Sequence, residues 1–187
     1  MQIPAIEIVE DDAKWYVMRD LKRANAKLPA YLQLKDAGFE VYTPTTWELT
    51  VRNGRQTKIE RPIIRDLLFV HATHGRLNPI VEQTPTLQFR YKKGGAYKEP
   101  IIVRNLDMHI FMTAAGMCAE PQYFFPDQIT PEMTGRRIRI IDGPLIGYEG
   151  HLQKIRGTKT KHVLVRLADI IAVSVTVDTA QIALLPD

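Results

Sequence analysis

Arg139-Ile140-Ile141-Asp142-Gly143-Pro144-Leu145-Ile146-Gly147-Tyr148-Glu149-Gly150 reads as a strand, a Gly-Pro turn, and two glycines three apart that lead into the next strand. Glycine supplies tight turns because its φ is unrestricted. Working outward, residues 137–141, 150–155, 161–167, 172–177 and 181–185 are short runs rich in Ile and Val. Val163, Val165 and Leu167 alternate with His162, Leu164 and Arg166, and Val173, Val175 and Val177 alternate with Ser174 and Thr176, the period of a strand. Five short strands in about 55 residues predict a small all-β barrel over residues 134–187.

Upstream the periodicity lapses. Pro121, Pro126 and Pro131 punctuate residues 117–133, which predicts a linker. Residues 1–116 alternate strand and helix signals. Lys14-Trp15-Tyr16-Val17-Met18-Arg19 carries apolar residues on both alternating faces, as in a strand covered on both sides. A helix from Asn25 or Leu28, with Pro29 in its first turn, ends at Gly38, and a strand follows over residues 39–44. A hairpin over 47–59 turns at Asn53-Gly54. Pro62-Ile63-Ile64-Arg65-Asp66-Leu67-Leu68-Phe69-Val70 predicts a central strand, with Ile63, Leu67 and Phe69 on one face and Ile64, Leu68 and Val70 on the other. Asn78 caps a predicted short helix with Pro79 at its first position, and residues 87–91 and 100–103 form a second hairpin. Leu106, His109, Ile110 and Thr113 mark one face of a helix over 105–115. The sum is an α+β fold: an antiparallel sheet with few helices, linked to an all-β barrel. A sheet greasy on both faces with so few helices leaves one face needing a partner.

The chain has 187 residues and 25 Lys+Arg against 21 Asp+Glu, a net charge of +4. Residues 1–126 hold 17 bases and 14 acids, so the basic balance is mild and fits a partner that is only partly nucleic acid. At 45% hydrophobic and 25% charged the composition excludes disorder and a disulfide scaffold. Cys118 is the one cysteine, which points to a reducing cytoplasm. Acids near the start and the lack of a long apolar run argue against export and membrane insertion.

The glycine-bearing stretch is similar to a KOW motif, with Gly143, Gly147 and Gly150 as its glycines. With Trp15-Tyr16-Val17 and the strand over 62–70, the arrangement resembles the NusG family of transcription elongation factors across nearly all of residues 13–187. Where general NusG proteins and the RfaH paralogue carry a Phe-Pro-Gly-Tyr-like core, this chain reads Ile64-Arg65-Asp66-Leu67, and its charged hairpin is closer to RfaH and the UpxY antiterminators. The resemblance implies an NGN-like domain at 1–116, a linker at 117–133 and a KOW domain at 134–187. It implies a cytoplasmic, monomeric, non-enzymatic factor without a cofactor, which binds RNA polymerase and suppresses pausing or premature termination at selected operons, such as surface polysaccharide clusters. By position, Arg19, Tyr42, Trp47, Ile63, Ile64 and Leu67 would meet the polymerase, and Leu77 and Asn78 its gate loop. Lys22, Arg23, Asn25 and Lys27 would meet the non-template DNA strand, and Ile146, Ile170 and Ile171 the ribosomal protein S10 or Rho. Each has a plainer reading, as a core residue, a helix cap or a solvated charged face.

Enzyme signals are poor. His71 and His74 lie three apart with no Cys, Asp or Glu at metal-ligand spacing, and Cys118 has no matched His or Asn. Lys92-Lys93-Gly94-Gly95 lacks the helix and the Lys-Ser/Thr of a phosphate loop. Two alternatives remain: a KOW-type RNA-binding protein acting in ribosome assembly or translation, and a metal hydrolase using His71 and His74.

Overall fold

The structure, a computed structural model, describes residues 12–21, 29–52, 54–154 and 160–186. In chain order the first half holds β1 (Lys14–Asp20), α1 (Ala30–Asp36), β2 (Glu40–Tyr42), β3 (Thr45–Arg52), β4 (Arg55–Pro62), β5 (Leu67–Ala72), α2 (His74–Gln83), β6 (Leu87–Phe89) and β7 (Ile102–Val103). Then come α3 (Asn105–Gly116), β8 (Gln122–Phe124), β9 (Thr134–Ile140), β10 (Glu149–Gln153), β11 (Lys161–Leu167), β12 (Ile171–Val177) and β13 (Ile182–Leu184). The backbone divides into two compact units, residues 1–43 with 65–102 and residues 44–64 with 103–187.

In the first unit an antiparallel sheet runs β2-β5-β1-β6. Tyr16 and Met18 of β1 and Leu68 and Val70 of β5 share one face, where α1 and α2 cover them with Leu34 and Leu77. Asp20 caps the start of α1, its Oδ2 accepting from the Ala30 N–H at 2.7 Å, and Gly38, at φ +76°, ends that helix. Pro29 stands at the cap rather than inside the first turn, and the expected starts at Asn25 and Leu28 lie outside the described residues.

Three expectations need correction here. The strand expected from Pro62 begins only at Leu67: Pro62 closes β4, and residues 63–66 turn. Asn78 is not a helix cap. Thr73 caps α2, its hydroxyl accepting from the Arg76 N–H, because the helix must start a turn earlier to bury Leu77; Pro79 then lies inside the helix. Finally, the sheet is not open on one side. Trp15, Val17, Leu67 and Phe69, on the face opposite the helices, are as buried as the residues beneath α1 and α2.

In the second unit all five expected C-terminal strands form, in the order β13-β9-β10-β11-β12-β8. The sixth strand comes from the segment read as a linker: Tyr123 of β8 pairs with Val173 of β12. Ile138, Ile140, Val163, Val165, Val173 and Val175 fill the core at period two. Helix α3 packs on β11 and β12 with a face other than the one expected: Met108, Phe111, Ala114 and Ala115 are buried, while Leu106 and His109 are exposed. The Phe111 ring meets Tyr123 at 6.2 Å, so β8 and α3 fix each other. Among the described residues the hairpin β3–β4 forms a separate two-stranded sheet.

Candidate functional site

The hairpin carries the apolar surface expected on the sheet. Trp47, Leu49 and Val51 alternate along β3 on one face, paired across the ribbon with Glu60, Lys58 and Gln56. They are 55%, 74% and 68% exposed, a contiguous stripe that a monomeric surface seldom leaves bare. Lys58 Nζ sits 5.1 Å from the centre of the Trp47 ring, a cation–π contact, and Arg61 pairs with Glu48 at 3.2 Å on the opposite face. Ile63 continues the exposed set just past β4.

By contrast, Ile64 and Leu67 are only 8% and 2% exposed, so their side chains are core. Tyr42 is half-buried, with its ring 6.3 Å from Phe69. Arg19 and Arg90 converge on Asp66, at 3.3 and 3.2 Å, which pins the turn 63–66 to β1. Leu77 is fully buried and Asn78 donates to Glu82 at 2.8 Å, so this pair forms helix packing rather than an exposed tip. Lys22, Arg23, Asn25 and Lys27 lie outside the described residues.

In the second unit the three glycines of the opening stretch are structural. Gly143 and Gly147 take φ of +89° and +85°, and the Gly147 N–H returns to Ile140 O at 2.8 Å. Gly150 makes room for an aromatic ring: a Cβ there would lie 2.7 Å from Tyr148 Cε1. The Tyr148 hydroxyl donates to Leu164 O at 3.0 Å and accepts the Arg166 N–H at 3.2 Å, tying the turn to β11. Burial pushes that phenol above its ordinary value. Of the expected partner contacts, Ile146 is exposed and Ile170 half-buried, whereas Ile171 is buried in β12 and belongs to the core.

His71 and His74 do not converge. His71 Nδ1 pairs with Glu40 Oε2 at 3.0 Å and its ring stacks on Trp15, while His74 stacks on Phe89. Among the described residues no group of His, Cys, Asp and Glu could hold a metal ion, and no helix is long and apolar enough to cross a membrane. Sequence reasoning missed Leu49 and Val51, although alternation from Trp47 on an Asn-Gly hairpin was the available signal. It also missed Asp66, whose two arginines, Arg19 in β1 and Arg90 just past β6, are distant in sequence.

These features define a mixed α/β protein with an exposed apolar stripe on its β3–β4 hairpin. The NusG family, described as transcription termination factor nusG, matches residues 13–112, and the chain belongs to it. Among solved structures, one titled "Domain interaction in Thermotoga maritima NusG" is similar at a TM-score of 0.47 and 16% identity, over 91% of this chain and 96% of that one. No curated protein matched the sequence. Transcription factors of the NusG family are not enzymes.

Proposed function

We propose that this protein binds elongating RNA polymerase and suppresses pausing or premature termination, as a specialised factor resembling the UpxY and RfaH group and serving selected operons such as surface polysaccharide clusters. The observation that carries this reading is the family match over residues 13–112, a segment that contains the exposed stripe Trp47, Leu49 and Val51. NusG-family proteins generally bind RNA polymerase, and an apolar stripe beside Lys58 suits a protein surface with acidic margins.

In this reading Trp47 and Ile63 make direct contact, Arg19 and Tyr42 lie at the margin, and Ile64 and Leu67 stay in the core. Lys22, Arg23, Asn25 and Lys27 meet the non-template DNA strand, where phosphate contacts position the protein. Ile146 and Ile170 offer the KOW domain a contact for S10 or Rho. The factor acts by binding alone, shifting polymerase toward its elongating state. Co-purification of the full chain tests this. Polymerase subunits are the expected companions, and ribosomal RNA without polymerase would favour a role in ribosome assembly or translation instead.

A further inference from the structure

We propose that the loop over residues 92–99 is a docking site for an acidic protein segment, with Tyr97 as its anchor and Lys93 and Lys98 as the groups that meet carboxylates. The loop belongs to the first compact unit and shares no residue with the surfaces assigned above to polymerase, DNA, S10 or Rho. Its shape is held from within. Tyr91 and Pro100 pair across its base, the Lys92 N–H donates to Glu99 O at 2.9 Å, and the Glu99 N–H donates to Ala96 O at 3.1 Å. The Glu99 carboxylate takes the Lys92 ammonium on one oxygen and, at 3.2 Å, the Ala96 N–H on the other. Gly94 turns the chain at φ +77°, and Gly95 lets Glu99 close in, since a Cβ there would stand 2.8 Å from Glu99 Oε2. Lys98 is held at φ +53°, a left-handed backbone that a lysine seldom adopts and that persists only where its surroundings fix it. A loop fixed in this way loses little conformational freedom on binding.

The frame presents its side chains to solvent. Every residue from Tyr91 to Lys98 is exposed, and Tyr97 is 90% so, more than any other large hydrophobic side chain among the described residues. Glu99 neutralises Lys92. Lys93 has no carboxylate partner among the described residues, and the Lys98 ammonium lies over the Tyr97 ring, 5.4 Å from its centre. The projecting surface therefore carries two unneutralised positive charges around one aromatic side chain, the make-up of an interface anchor with a charged margin. Carboxylates of a partner meet the two ammonium groups, and an apolar side chain between them packs on the Tyr97 ring. A single-stranded nucleic acid fits less well: it is followed by a basic groove with a series of stacking rings, whereas this tip has one ring with a lysine over it.

The test titrates the full chain against a fluorescein-labelled peptide of about twelve residues repeating Glu-Leu-Asp, followed by anisotropy between about 50 and 200 mM salt, with labelled oligo(dT) and oligo(U) of equal length beside it. Saturable binding of the peptide, tighter than that of either oligonucleotide, is expected. Lys93→Glu with Lys98→Glu should weaken it about tenfold or more and flatten its salt dependence. Tyr97→Ala, which alters no charge, should weaken it about fivefold and leave the salt dependence as it was. All three side chains face solvent, so these variants should melt within about 2 °C of wild type. The same losses must occur in a Trp47→Ala, Leu49→Ala background, which separates the loop from the apolar stripe on the hairpin. The proposal is overturned if the peptide does not bind saturably, if either loop variant binds it as the wild type does, or if an oligonucleotide binds more tightly with the same sensitivity to Tyr97→Ala.

Discussion

Gly150→Ala should destabilise the second unit by roughly 2–3 kcal/mol, and Tyr148 should be the whole reason. The added Cβ would lie 2.7 Å from Tyr148 Cε1 and 3.2 Å from Cζ and the hydroxyl oxygen, where carbon contacts normally settle at about 3.5–4.0 Å. The ring cannot swing away freely, because its hydroxyl is fixed to Leu164 O and to the Arg166 N–H. Either the strands shift, at about 1–3 kcal/mol for overpacking, or the ring leaves and forfeits two hydrogen bonds of about 1 kcal/mol each. Urea denaturation followed by circular dichroism measures the loss. A double-mutant cycle isolates its origin: in a Tyr148→Ala background, Gly150→Ala should cost under about 0.5 kcal/mol. An equal cost in both backgrounds would show that Gly150 is needed for some other reason, and the reasoning would be refuted.

Three further outcomes follow from the same geometry. Leu77→Ala should cost about 2–5 kcal/mol and Asn78→Ala under about 0.5, by thermal or urea melting, because Leu77 is wholly buried while the Asn78 side chain bonds its helix neighbour Glu82 near the surface. Trp47→Ala with Leu49→Ala should leave the melting temperature within about 2 °C of wild type, since both side chains face solvent. The Arg139 hydrogen bond, with Arg137 nearby, holds the Glu149 carboxyl below its ordinary 4.5. Its contribution is therefore present above that value and lost as the pH falls through the lower folded one; Glu149→Gln should flatten this acid limb in melts between about pH 5 and 3, and salt should shrink the difference.

Much of the fold was legible because its signals are local. The C-terminal strands follow from unbroken alternation of Val and Ile with polar residues, and the hairpin from Asn53-Gly54. Tertiary demands decided the rest. Asn78-Pro79 is a good helix start in isolation, yet Leu77 precedes it and has to reach the core, so Thr73 took the cap. Tyr123 looked like linker because its strand is only three residues long and gains its meaning from pairing with β12. For α3, Leu106 and Ile110 fit helical spacing as well as Met108 and Phe111 do, and the packing on β11 and β12 chose between them. At the candidate surface Trp47 and Ile63 were legible as apolar residues in a charged context. Ile64 and Leu67 were misplaced because periodicity cannot show that a turn interrupts the run at residue 63.

Equilibrium titration of the full chain against core RNA polymerase bears most directly on the account. Saturable binding by the wild type, weakened about tenfold or more by Trp47→Ala with Leu49→Ala in a chain that still melts normally, is the predicted result. Absence of a complex, or a variant that binds undiminished, would contradict it.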